Sequence, residues 1–364
     1  MSFIVAGIGT ALPEHSLTQA DAVELHTTFC RIDEKRARTL KALYRRSGIT
    51  TRRSVLLDAS DGPLPTRQSF YHPARCEDDG GPATAVRMAA YEELAPGLAI
   101  DAARNALGSA TTDPGEVSHL ITVSCTGFVS PGVDAAIIDG LGLRRTTERT
   151  HVGFMGCHGS LNALRVARSY VEADPAAVTL VCSVELCTLH FAYPWDPDML
   201  VANALFGDGA AALVGRARRD GDEDAWRVAG SGTLLMADSE NDMTWRIGDH
   251  GFRMTLSARV PDLIGANLRE WLVEWLQRHD LVLGDVATWA IHPGGPRILS
   301  ATEQALGLSR DGSHASRSVL AECGNMSSAT ILFILDRLRA EGAPRPCVAL
   351  AYGPGLVVEA ALFV

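Results

Sequence analysis

The strongest constraint in this sequence is a rhythm: short apolar runs of strand length alternate with longer segments of helical periodicity, and the alternation occurs twice. In the first half the strand-like runs are SFIVAGIG, HLITVSC, AVTLVCSVEL and FGDGAAALVG, with helical spacing from Met88 to Leu107 and from Leu161 to Val171. The second half follows with WRVAGSGTLLM, TWAIHP, CVALAYGPG and VVEAALFV, and with helical patterns from Pro261 to His279 and from Ser327 to Arg339. Apolar strands separated by helices call for a buried, largely parallel sheet covered by helices. The polar stretch RARRDGDEDAW reads as an exposed connection and predicts two halves, 1–216 and 217–364. Each half carries a helix that opens just after a small-residue turn, at Gly156-Cys157 and at Gly324-Asn325.

Charge and cysteine usage narrow the function. Thirty-three Lys plus Arg against 43 Asp plus Glu leave a formal net charge of −10, a field that opposes nucleic-acid binding. The eight cysteines form no CxxC pair and have mostly apolar or small neighbours, which points to reduced thiols in the cytoplasm and to neither a disulfide framework nor a metal site. The apolar run near the N-terminus has no basic flank and is interrupted by Gly and Pro, so it reads as a first strand and not as a membrane span. From Leu57 to Asp79, Pro, Asp, Gly and Arg concentrate without periodicity, and this segment is expected to be disordered or lid-like.

The chemistry concentrates at three junctions. In HVGFMGCHGSLNALRVARSYV, Cys157 stands just before a helix, where free N–H groups and the positive end of the macrodipole favour a thiolate and would lower the thiol pKa. In TWAIHPGGPRIL, His292 closes an apolar strand ahead of a Gly-Gly-Pro loop, and in AECGNMSSATILFIL, Asn325 precedes an apolar helix. Singly these read equally well as a buried structural cysteine, a satisfied surface histidine and a helix N-cap. Together, at turns of a repeated α/β pattern, they read as a nucleophile with two partners.

Six segments, SCTGFVSPG, MGCHGSLNALRVA, VANALFGDGAAALVG, WAIHPGGPRIL, GNMSSATILFIL and YGPGLVVEAALF, resemble the type III polyketide synthases, the chalcone and stilbene synthase family of the thiolase-like condensing enzymes. The resemblance covers nearly all of the chain after Met88. It implies a five-layer αβαβα fold of two similar halves, and an acyltransferase that decarboxylates malonyl-CoA and condenses it onto an acyl-CoA starter held on Cys157. It also implies that His292 hydrogen-bonds the cysteine and, with Asn325, donates to the enolate oxygen.

By the same resemblance Phe206 is a gatekeeper, and Met254 stands where the family usually has an aromatic residue. Cys125, Thr126, Cys187, His190, Trp245 and Ser327 fall near positions that shape the cavity. The run ENDMTWRIGDHGFRMTLSARVP is similar to bacterial members that make alkylpyrones or alkylresorcinols from fatty acyl-CoA starters, while Trp245 equally suits a truncated cavity for small ones. For CoA, KALYRRSGITTRR offers Lys41, Arg45, Arg46, Arg52 and Arg53, of which Arg46 matches best; a solvated helix face is the alternative. No cofactor beyond CoA thioesters is expected, and no metal. Ser130-Pro131 matches a dimer-contact residue before a cis proline, which implies a homodimer. The nearest rival is an initiating 3-oxoacyl-carrier-protein synthase, which performs a single condensation; a Cys-His-Asn thioesterase or hydrolase is more distant.

Overall fold

The computed structural model describes residues 2–364. Among the described residues the strands are β1 (Phe3–Ala11), β2 (Ser16–Thr18), β3 (Thr51–Arg53), β4 (His119–Ser124), β5 (Glu148–Gly153), β6 (Val178–Leu186), β7 (Asp208–Ala217), β8 (Trp226–Leu235), β9 (Met243–Gly248), β10 (Gly251–Leu256), β11 (Thr288–Ile291), β12 (Cys347–Gly353) and β13 (Val357–Phe363). The helices are α1 (Gln19–Phe29), α2 (Glu34–Arg46), α3 (Thr84–Ser109), α4 (Val133–Leu141), α5 (Gly159–Ala173), α6 (Pro197–Leu205), α7 (Val260–Gln277), α8 (Pro296–Leu306), α9 (His314–Cys323) and α10 (Thr330–Ala340).

Nine strands make one sheet in the order β11-β12-β13-β8-β1-β7-β6-β4-β5. It narrows in the middle, where β1 and β8 share only the pairs Ile4 with Arg227 and Val5 with Trp226. On one side of this neck β4 and β6 run parallel, then β6, β7 and β1 antiparallel. On the other, β11 and β12 run parallel, then β12, β13 and β8 antiparallel. The same strand order and direction thus appear twice, which is the duplication that the sequence rhythm suggests. The expectation of a largely parallel sheet is overturned, because only β4–β5, β4–β6 and β11–β12 are parallel pairs. For β12 and β13 the reason is the connection: Pro354 to Leu356 is too short a link for a crossover, so the chain must return antiparallel.

Five layers result. The alanine-rich face of α3 (Ala95, Ala99, Ala102, Ala103, Ala106) packs with α4 on the outside of one half. α7 and α8 cover the other through Ile264, Leu268, Leu272, Ile298 and Leu299. Between the two halves lie α5 and α10, whose Leu161, Leu164, Ile331, Leu332 and Leu335 form one core with strands of both. Such a position, apolar on every side, is why α10 reads TILFILDRL with hardly a polar break.

The segment from Leu57 to Asp79, expected to be disordered or lid-like, is a pinned strap with a short 3-10 turn at Leu64–Thr66. The Gln68 side chain bonds both backbone groups of Tyr71, and the Tyr71 hydroxyl donates to Thr188 O at 2.8 Å. No helix among the described residues is long and apolar enough to cross a membrane.

Candidate active site

Cys157 lies one residue before His158, the N-cap of α5, and Asn325 lies in the turn that leads through a 3-10 turn into α10. The two central helices therefore bring one turn from each half to the same place. Gly156 at φ +85° makes the approach possible, since a Cβ there would sit 2.2 Å from Pro354 Cδ. The Cys125 thiol clamps the turn further: Gly156 N donates to its sulfur at 3.0 Å, and the thiol faces Gly156 O at 3.4 Å. Phe154 and Ser327 flank the site in left-handed conformations, φ +59° and +48°, conformations costly for side-chain-bearing residues and concentrated where geometry serves function.

The side chains of Ser327 and Asn325 act on the Cys157 thiol in the direction of a lower pKa. The Asn325 carboxamide is oriented by its oxygen, which accepts Ser327 N at 2.8 Å and so leaves the NH2 to donate. Burial nevertheless pushes the Cys157 thiol up to about 12, against the pull of those two side chains. The lowering expected at a helix N-terminus is thus opposed here by desolvation of the sulfur.

His292 is fully buried at the end of β11, its N–H bonded to Leu350 O at 2.7 Å. Neither ring nitrogen has a hydrogen-bond partner, so the bond to the cysteine implied by the resemblance is not formed in this structure. Burial, and then the ring of His158 beside the nucleophile, hold its pKa down to about 3, so the imidazole is neutral. One nitrogen of a neutral imidazole carries a proton, and that N–H is a donor awaiting an acceptor.

Around the sulfur lies a cavity of about 50 Å³, lined by Cys125, Thr126, Cys187, Phe206, Trp245, Met254 and Ser327 among others. Trp245 and Met254 are cross-strand partners in the separate β9–β10 hairpin. The Trp245 indole donates to Cys125 O at 2.8 Å, which fixes it as a wall. His190 stands behind this wall, not in it: its Nε2–H donates to Thr126 O at 2.8 Å, its Nδ1 accepts Phe252 N at 3.0 Å, and its ring stacks on Phe252.

Phe206 is the C-cap of α6. It pairs with Asn325 in a short parallel bridge, with Asn325 N donating to Leu205 O at 2.9 Å and Gly207 N to Asn325 O at 3.0 Å. Arg52 ties the same turn down through bonds of 2.7 Å to Asn203 O and to Phe206 O. Arg53 likewise bonds the backbone, at Pro13 O and Glu14 O. Arg46 is exposed in the last turn of α2 and lies outside the cavity lining.

Two groups escaped sequence reasoning. Glu185, buried in β6, accepts Cys125 N at 3.0 Å and the Thr126 hydroxyl at 2.7 Å, and it also binds the Ser328 hydroxyl; burial raises its pKa. His158 bonds Asn162 at 2.6 Å, and Asn162 donates to the buried Glu359, which pairs with Arg165. The available signals were a glutamate inside an apolar strand run and the i, i+4 spacing of His158 and Asn162.

A sheet duplicated around two central helices, with a cysteine and an asparagine at their entering turns, defines the thiolase-like condensing acyltransferases. The sequence profile of the chalcone and stilbene synthase N-terminal domain matches residues 2–217, and that of the C-terminal domain matches residues 228–364. The chain belongs to the chalcone and stilbene synthase family and is a type III polyketide synthase. It is 33% identical to the alpha-pyrone synthesis polyketide synthase-like Pks18 of Mycobacterium tuberculosis, over 99% of this chain and 90% of that protein. It is 34% identical to the 1,3,6,8-tetrahydroxynaphthalene synthase of Streptomyces peucetius subsp. caesius, over 98% of this chain and 91% of that one. Among solved structures, PKS-I of the brown alga Ectocarpus siliculosus superposes with a TM-score of 0.92 at 30% identity, covering 100% of this chain and 98% of the other.

Proposed function

We propose that Cys157 accepts an acyl group of short to medium length from CoA, and that malonyl-CoA extends it a few times before ring closure to a pyrone or resorcinol. In each round the malonyl carboxylate leaves as carbon dioxide, and the freed electron pair delocalises onto the thioester oxygen as an enolate. The N–H of His292 and the NH2 of Asn325 receive that charge. The enolate carbon then attacks the carbonyl of the acyl-Cys157 thioester, and the cysteine sulfur leaves as a thiolate that the lengthened chain reacylates. The observation that carries this reading is a fully buried, neutral imidazole with no hydrogen-bond partner, His292, whose pKa is held down by burial and by His158, the residue that follows Cys157. Polar groups left unpaired in an interior are costly, and a developing oxyanion is what would pair them.

The small space around the sulfur, closed by a hydrogen-bonded Trp245, favours the compact starter over the long fatty chain. Phe206 and Met254 would exclude water during decarboxylation, and Arg46 would meet the CoA phosphates. CoA thioesters would be the sole small molecules required. The enzyme would work in the cytoplasm, where eight free thiols persist, as a homodimer through the face carrying exposed Phe128 and Met155 beside the cis Ser130–Pro131 bond. The units 1–216 and 217–364 would be its two halves.

The test is incubation of purified enzyme with malonyl-CoA and acyl-CoA starters of graded length. Pyrone or resorcinol products from short and medium starters support the reading; strict dependence on a carrier protein, with a single ketoacyl product, overturns it. In the same assay Cys157→Ala is expected to abolish acyl loading by mass spectrometry while leaving the circular dichroism spectrum unchanged.

A further inference from the structure

Behind the wall of the catalytic cavity lies a second, larger one of about 110 Å³, lined by α1, the strap and the 187–191 turn. The two share Cys187, Phe206 and Trp245, so they are neighbouring chambers with Phe206 and Trp245 between them. The second is lined mostly by apolar and aromatic groups, among them Phe29, Tyr71 and Phe191. Its size is of the order of the dry apolar cavities of about 150 Å³ that take up benzene.

Two polar atoms in this lining are buried without a partner, Nε2 of His26 and Nε of Arg52. His26 is 1% exposed. Its other nitrogen, Nδ1, meets the Tyr44 hydroxyl at 2.8 Å, and that hydroxyl donates to Asn203 O at 3.2 Å. Assigning the tyrosine proton to the carbonyl, which cannot donate, makes Nδ1 the donor of the pair and leaves Nε2 a bare lone pair. Burial, followed by the charge of Arg52, holds the His26 pKa down to about 3, so the ring stays neutral and Nε2 stays an acceptor.

The chamber therefore offers one unpaired acceptor and one unpaired donor within an apolar wall. An alkyl end would leave both unpaired, and a carboxylate would satisfy Arg52 but oppose the lone pair of His26. A neutral hydroxyl can donate to the first and accept from the second.

We infer that this chamber holds the far end of the starter acyl group, and that His26 selects a starter whose end carries a hydroxyl. The inference rests on the function proposed above. Of the two side chains between the chambers, Trp245 is tied by its indole and Phe206 makes no side-chain hydrogen bond, so the acyl chain would pass on the Phe206 side.

The experiment compares Cys157 loading by 8-hydroxyoctanoyl-CoA and octanoyl-CoA, followed by mass spectrometry. The hydroxylated thioester is expected to load with kcat/KM at least about tenfold higher, because a site built around a hydroxyl rejects the analogue lacking it. His26→Phe is expected to bring the ratio to near one, and His26→Gln, which keeps an acceptor, to restore part of it. Independently of any variant, 15N-histidine spectra of the intact enzyme are expected to show the bare Nε2 resonance of His26 moving upfield once the hydroxyacyl group is loaded. Equal loading of both thioesters, a preference that survives His26→Phe, or an unmoved resonance overturns this inference alone. Failure of every thioester to load Cys157 overturns the underlying function and this inference with it.

Discussion

At the scale of single residues, the site contains groups kept neutral by burial. Burial pushes the Cys157 thiol up and the His292 imidazole down, both against a resting ion pair, which points to activation of the nucleophile when substrate changes the surroundings of the sulfur. Alkylation of Cys157 by iodoacetamide in the free enzyme is accordingly expected to rise about tenfold per pH unit through pH 9 without a plateau. A plateau near neutrality would show a thiolate already present. For Asn325, whose amide is aimed by Ser327, replacement by Ala should slow malonyl-CoA decarboxylation about a hundredfold, as loss of one oxyanion donor does elsewhere. Release of carbon dioxide from labelled malonyl-CoA measures this without need of a product.

At the scale of elements, two turns from opposite halves behave as one piece. The bridge between Phe206 and Asn325 and the bonds from Arg52 make the gate and the amide donor a single unit. Gly324 leads into it in a glycine-only conformation: it has φ +74°, and a Cβ there would lie 2.9 Å from Leu205 O. Gly324→Ala is expected to destabilise the protein by about 1–3 kcal/mol and to lower kcat more than it raises KM, read from thermal melts and steady-state kinetics.

Asp208 supplies a pH-dependent counterpart. It accepts Thr188 N, the Thr188 hydroxyl and Val55 N, and so fixes the turn that presents Cys187 and His190. Burial raises its pKa from 3.8 to about 6. The native state thus holds this proton more tightly than the unfolded chain, and the stability it confers is present below pH 3.8 and lost as pH rises through about 6. The stability gap between wild type and Asp208→Asn should therefore change across that window, as denaturant titrations at several pH values would show; a gap constant with pH contradicts it.

At the scale of the whole molecule, α5 and α10 hold the halves together. Leu332, 1% exposed between the layers, belongs to a core drawn from both sides, so Leu332→Ala should cost about 2–5 kcal/mol. Its melt should remain a single transition, because neither half keeps a complete core without the other. The sequence made this architecture readable through periodicity: HLITVSC, AVTLVCSVEL and WRVAGSGTLLM all became strands, and Leu161 to Val171 a helix. Strand direction was not readable, since an apolar run looks the same whether its neighbour runs parallel or antiparallel, and the long connection from β6 to β7 ends in an antiparallel pair.

In the site, Cys157 and Asn325 were legible as residues placed before apolar helices. The raised thiol pKa was not, because desolvation depends on what the chain places around the sulfur from distant segments. His26 was equally hidden, being one histidine in an ordinary helix until Tyr44, Asn203 and Arg52 surround it.

The β9–β10 hairpin stands apart from the nine-stranded sheet and yet supplies Trp245 and Met254 to the chamber around the sulfur. Reaction machinery and contour are thereby carried on different pieces of chain. Natural variation, or a laboratory library confined to those two short strands, would reshape the chamber without changing Cys157, His292 or Asn325.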